Sequence, residues 1–153
     1  MLRKALPEAL KTALKEHDER AISTVRLIMA ALKDRDIAAR GKGNTEGISD
    51  DEILQMLQTM VKQRRESIEM YEKGGRLELA EQEREEIGIV ERFLPRQLDE
   101  AETGAAVDQV IADVGAGGLK DMGKVMSALR ERYAGQMDFG KASALVKEKL
   151  GAG

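Results

Sequence analysis

The chain has no cysteine, no tryptophan and one histidine, and its 153 residues include only two tyrosines, two phenylalanines and two prolines. Each scarcity removes a class of chemistry. Without cysteine there are no disulfides, no thiolate nucleophile and no cysteine-bound zinc, which suits a cytoplasmic protein. Tyr71 and Tyr133 are too few to form a base-stacking platform for single-stranded nucleic acid. No run approaches the roughly 18 consecutive apolar residues of a membrane span. The opening MLRKALPEALKTALKE places Lys11 and Lys15 where a signal peptide needs an apolar stretch, so it reads as an ordinary first helix. A net charge of −3 argues against strong non-specific nucleic-acid binding by the whole chain, and no DNA partner is expected.

Charged residues make up 35% of the chain, and Ala, Leu, Glu, Lys, Arg, Gln and Met dominate. That mixture favours helices, and no apolar–polar alternation is long enough for a strand. Residues 2–16 fit a helix with Leu2, Leu6, Leu10 and Leu14 every fourth residue. Asp18 caps a second, running to Arg40, with Ile22, Val25, Met29 and Leu32 inward. GKGNTEG at 41–47 is a loop whose role the sequence leaves open. Ser49 with Asp50, Asp51 and Glu52 starts a third helix, which reaches Lys73. Leu77–Phe93 forms a fourth, and Gly88 inside it suggests a closely packed neighbour. Pro95 then sets a boundary. Asp99 caps the next segment, and two apolar sets repeat at i, i+3, i+4 and i+7: Val107, Val110, Ile111, Val114, then Met122, Val125, Met126, Leu129. Ala142, Leu145 and Val146 mark a last helix. The pattern predicts an all-α chain, with a larger bundle of about four helices over 1–95 and a three-helix bundle over 96–153.

Charge is unevenly spread. Residues 1–95 carry 17 basic and 19 acidic groups, residues 96–114 one and five, and residues 115–153 seven and four. The tail is thus locally basic on an acidic protein.

The stretch GLKDMGKV, 118–125, nearly spells a phosphate-binding loop. Such a loop must follow a strand, open a helix and supply a Ser or Thr after its lysine. Here a helical segment precedes it, Val125 occupies the hydroxyl position, and only 29 residues follow Lys124. The same residues read better as a helix start, with Gly118 as cap and Asp121 in the first turn. Gly123 and Ser127 form a small-residue notch, and Lys120 and Lys124 lie exposed. His17, in KEHDER, reads as a surface residue. Glu78, Glu81, Glu85 and Glu86 read as a solvated helix face, since no His or Asp joins them and Arg84 sits among them; no metal site is expected. Lys62, Arg64 and Arg65 form a basic patch. It is either a charge network within the third helix, with Glu66 and Glu69, or a surface for RNA phosphate or an acidic protein. Met56, Met60, Met122 and Met126 fall on apolar stripes and fill core.

DMGKVM at 121–126, VERFLPRQLDEAE at 90–102, VKQRRES at 61–67 and MDFGKASALVKEKL at 137–150 occur in an order that resembles the GatB/YqeY family, in its free-standing YqeY-like branch. The resemblance covers nearly the whole chain. It implies a helical bundle followed by a three-helix module that also forms the tail of the B subunit of the glutamine-dependent aspartyl/glutamyl-tRNA amidotransferase. A related module precedes some glutaminyl-tRNA synthetases, and in these settings it helps hold tRNA. By resemblance, Lys120, Lys124 and Arg130 become the residues to test for RNA contact, with Gly123 permitting close approach. Gly117 and Gly118 stand where relatives often carry Ser or Thr.

The sequence supplies no serine–lysine amidase signature, no metal cluster and no nucleotide loop. The family-level label, a carbon–nitrogen ligase with glutamine as amide donor, is therefore not expected as chemistry of this chain. No catalytic residue and no cofactor are assigned. The expected role is a tRNA-binding or tRNA-presenting accessory of translation. The alternative is a protein-interaction module that docks on an amidotransferase, a synthetase or another partner.

Overall fold

The structure, a computed structural model, describes residues 1–151. These residues form seven α-helices, one short 3-10 turn and no strand, so the chain is all-α as its composition and periodicity predict. Contacts divide it after Pro95 into two compact units, each with its own hydrophobic core.

The N-terminal unit contains α1 (Leu2–Lys15), α2 (Glu19–Gly41), α3 (Asp50–Lys73) and α4 (Leu77–Glu91). α1 packs on α2, α2 on α4, and α3 chiefly on α4. Local chemistry sets the helix starts. The Asp18 carboxylate accepts the Ala21 N–H at 3.1 Å. Ser49 and Glu52 form a reciprocal capping box, which satisfies two N–H groups that the helix itself cannot. Leu6, Val25, Ile28, Ile53, Met56, Leu57 and Val90 are buried at the centre.

Three expectations need correction. Leu14 is exposed and Ala13 takes its place in the core, because a four-residue spacing drifts by about 40° per step around a helix. α4 ends at Glu91, not Phe93, since the N–H groups of Arg92, Phe93 and Leu94 bond three residues back and tighten the final turn before Pro95. Gly88 has no close neighbour: it is exposed, and a Cβ built on it would meet nothing within 4 Å. Gly88→Ala should therefore raise the stability of the chain by about 0.5–1 kcal/mol, read as a higher urea midpoint with an unchanged slope.

The loop before α3 is held by a clip that joins three segments. Arg3 donates from both terminal nitrogens to the Asp36 carboxylate at 2.7 Å, and to the Ile48 carbonyl at 2.8 Å. Asp36 also accepts the Ile48 N–H at 2.9 Å. These bonds to Arg3 and Ile48 hold the Asp36 carboxyl down to about 2. Gly47 runs beneath the pair with φ +91°, where a Cβ would collide with both the guanidinium and the carboxylate.

The C-terminal unit contains α5 (Glu100–Val114), the 3-10 turn (Leu119–Asp121), α6 (Met122–Arg132) and α7 (Phe139–Gly151). Asp99 and Glu102 form a second capping box, and Arg96 grips Glu102 through two bonds of 2.7 and 3.0 Å. Val107, Val110, Val125, Leu129, Ala142 and Val146 are fully buried. Ala106, Met137 and Leu150 complete the core beyond the residues the periodicity picks out.

Candidate functional site

α5 ends at Gly115, whose left-handed φ of 67° stops the helix. Gly118 is extended, and the chain then makes the 3-10 turn before α6 begins at Met122. This differs from the expected helix start at Gly118. With glycine at 117 and 118, no hydroxyl offers a cap. The Asp121 carboxylate instead accepts the Gly117 N–H at 2.9 Å and ties the loop back on itself. The segment before the turn is helical and the described residues contain no strand, so the setting of a phosphate-binding loop is missing.

Met122, Val125, Met126 and Leu129 turn α6 towards the core of its unit. Its outward side carries Gly123, Lys124, Ser127, Arg130 and Glu131, all exposed, and Lys120 is exposed on the preceding turn. Gly123 is open, for a Cβ there would meet nothing within 4 Å. The Arg130 guanidinium lies over the Phe139 ring, 5.9 Å from its centroid. This contact attracts the guanidinium to the ring face and steadies the head of a long side chain.

The ion pairs sort the basic groups of this unit. Arg132 bonds Asp113 at 2.6 Å and Lys149 bonds Asp108, so two cations of the tail are neutralised by acids of α5. The same contact holds the Asp113 carboxyl below its usual range. Among the described residues, Lys120, Lys124 and Arg130 have no carboxylate within ion-pairing distance. The same is true of Lys141 and Lys147, exposed on α7. Sequence reasoning missed this last pair; the signal was their position opposite Ala142 and Val146.

The second basic patch does not stay together. Lys62 and Arg65 are exposed on α3, and Arg65 reaches Glu91 at 3.9 Å. Arg64 turns inward and its side chain keeps only 13% exposure. It donates to Glu86 on α4 at 3.2 Å and to the Met60 carbonyl at 3.2 Å, and stands 3.9 Å from Glu83. Arg64 and Arg65 therefore pair across to α4. Burial, and then the neighbouring charge of Glu86, push the Glu83 carboxyl above its usual range.

Glu86 likewise departs from the expected solvated face, being buried against Arg64, whereas Glu78, Glu81 and Glu85 are exposed and pair with Arg76, Arg84 and Arg20. His17 is exposed and adopts φ 55° in the α1–α2 turn. The described residues contain no group of three or more His, Cys, Asp or Glu that could hold a metal ion. No described helix is long and apolar enough to cross a membrane.

A family model described as Yqey-like protein matches residues 3–150. The chain is also similar to "Altered inheritance of mitochondria protein 41, mitochondrial" of Lachancea thermotolerans, with 30% identity over 71% of this chain and 57% of that protein. An uncharacterized protein of Schizosaccharomyces pombe shares 28% identity over 62% of this chain and 70% of its own length. The chain thus spans little more than half the length of the first of these relatives.

Proposed function

Because the chain belongs to the Yqey-like protein family, we propose that it is a non-catalytic accessory of translation that holds tRNA by its phosphate backbone. The ledge formed by the 3-10 turn and α6 makes the contact. One observation carries this reading: Lys120, Lys124 and Arg130 are exposed along the 3-10 turn and α6 with no carboxylate in ion-pairing distance, whereas Arg132 and Lys149 of the same unit are tied to carboxylates of α5. Unpaired surface cations can replace the counterions of a polyphosphate chain at no cost in broken ion pairs. Gly123 leaves room for a backbone to approach, and Glu131 on the same side limits the attraction. With no exposed aromatic platform, the contact reads phosphate and shape, not base identity. The glutamine-dependent ligase chemistry belongs, on this reading, to partner proteins, and the setting is a compartment that holds tRNA, the cytoplasm foremost.

The test is fluorescence anisotropy with labelled tRNA. Three phosphate contacts should give a log–log salt slope of about −2 to −3, and the triple variant Lys120→Glu, Lys124→Glu, Arg130→Glu should bind at least about a hundredfold more weakly with unchanged far-ultraviolet circular dichroism. No affinity at low salt, or equal affinity in the triple variant, removes the reading. The open Gly123–Ser127 notch favours a second one, in which an amidotransferase or synthetase subunit packs against α6. Ser127→Trp would then abolish partner binding with unchanged far-ultraviolet circular dichroism.

A further inference from the structure

α2 is apolar on two sides. One side, with Ala21, Val25, Ile28 and Leu32, is buried in the N-terminal unit. On the other side Leu27 and Ile37 remain 49% and 55% exposed, and Ala30 and Ala38 are exposed with them. Exposed apolar side chains gathered in one stripe mark an interaction surface. The outer stripe is orderly. Ser23, Ala30 and Ile37 recur at seven-residue intervals, with Leu27 and Asp34 in the next column, the spacing by which one helix meets another along a seam. Beside the stripe lies an open groove of about 660 Å³ between α2 and α4, lined by Ile22, Ser23 and Leu27 together with charged and polar side chains that include Arg20, Arg26 and Glu86.

The borders of the stripe differ. One side carries Ala31 and Ala38, with Arg35 beyond them. The other carries Arg26, Lys33 and Arg40, again at seven-residue intervals. None of the three has a carboxylate within ion-pairing distance among the described residues, although Arg40 acts on Asp36 from farther off. Packed antiparallel about a twofold axis, a second copy would set these cations against their own counterparts, and a parallel copy would face them with alanines.

We propose that this face of α2 docks an amphipathic helix of a partner protein whose apolar stripe is flanked by Asp or Glu. The partner's large apolar side chains cover Leu27, Ala30 and Ile37, one of them entering the groove beside Ser23. Its carboxylates meet Arg26, Lys33 and Arg40. Asp34, the single acid within the stripe, fixes the register by taking a Lys or Arg of the partner.

The experiment places a photocrosslinking amino acid at Ala30 of the full chain in its native cells and sequences the joined segment. An acid-edged amphipathic helix is expected. A synthetic peptide of that segment should bind the purified chain, and Arg26→Glu with Lys33→Glu should weaken it by at least about tenfold, as should Ile37→Asp. The triple variant in α6 should leave this binding unchanged, which separates the proposal from the tRNA reading. Crosslinking to a second copy of the chain, to RNA or to lipid overturns the proposal. So does crosslinking to nothing, or a peptide whose affinity ignores the charge reversals.

Discussion

Arg64→Ala should destabilise the chain by about 3 kcal/mol at neutral pH, measured by urea unfolding. The guanidinium is held between α3 and α4 by Glu86 and the Met60 carbonyl, with Glu83 close by. Removing it leaves two largely buried carboxylates facing each other without a cation. Desolvation and mutual repulsion then act together, which makes a half-removed pair costlier than no pair at all. The double variant Arg64→Leu, Glu86→Leu should accordingly recover most of the loss.

The pH dependence gives an independent check. Without Arg64, which opposes the shift, the already raised Glu83 carboxyl goes further up in the folded state. A raised carboxyl adds stability below its unfolded pKa and loses it as pH rises through the folded pKa. The deficit of Arg64→Ala relative to the parent should therefore be largest at neutral pH and shrink towards pH 4. A deficit that does not change with pH would show that Arg64 acts through packing alone.

The second large effect lies in the clip over the loop. Asp36→Ala should cost about 2 kcal/mol at neutral pH. It removes a two-pronged, charge-assisted contact, discounted here because Arg3 is partly solvated, and it leaves the Ile48 N–H without its acceptor. The carboxyl titrates at about 2 in the folded chain, below its unfolded value near 3.9. This contribution is thus fully present above about pH 4 and fades as the solution is acidified towards pH 2. Parent and Asp36→Ala should converge in that window. Gly47→Ala should reproduce part of the loss, since its side chain would displace the same guanidinium.

The parts of this fold that could be read in the sequence are those decided within one turn of chain. Asp18, Ser49 and Asp99 declare helix starts because a short polar side chain there bonds an N–H two or three residues on. The apolar sets of α3 and α6 follow from helical period. What escaped reading was decided at long range. Arg3 lies 33 residues from Asp36 and 45 from Ile48, and nothing local marks the three as partners. Arg64 and Glu86 did leave a trace: each falls on the inward stripe of its helix, Arg64 between Val61 and Ile68, Glu86 one turn before Val90. A charge in such a position on two helices, with opposite signs, is a signature of a buried pair. Gly88 misled because a glycine within a helix has two readings, close approach or tolerated weakness, and only the surroundings choose between them. For the candidate site, the family resemblance carried by DMGKVM and its surroundings singled out Lys120, Lys124 and Arg130. Their freedom from carboxylates could be seen only once α5 was found neutralising Arg132 and Lys149.

The stacking of Arg130 on Phe139 has a spectroscopic consequence. Protons held above an aromatic ring feel its circulating current, so the guanidinium signals of this one side chain should appear at unusually low frequency in a nuclear magnetic resonance spectrum. A phosphate drawing Arg130 off the ring would return them to the common position of solvated arginines. Occupancy of the ledge could then be followed on the unlabelled nucleic acid's account, by a reporter already built into the chain.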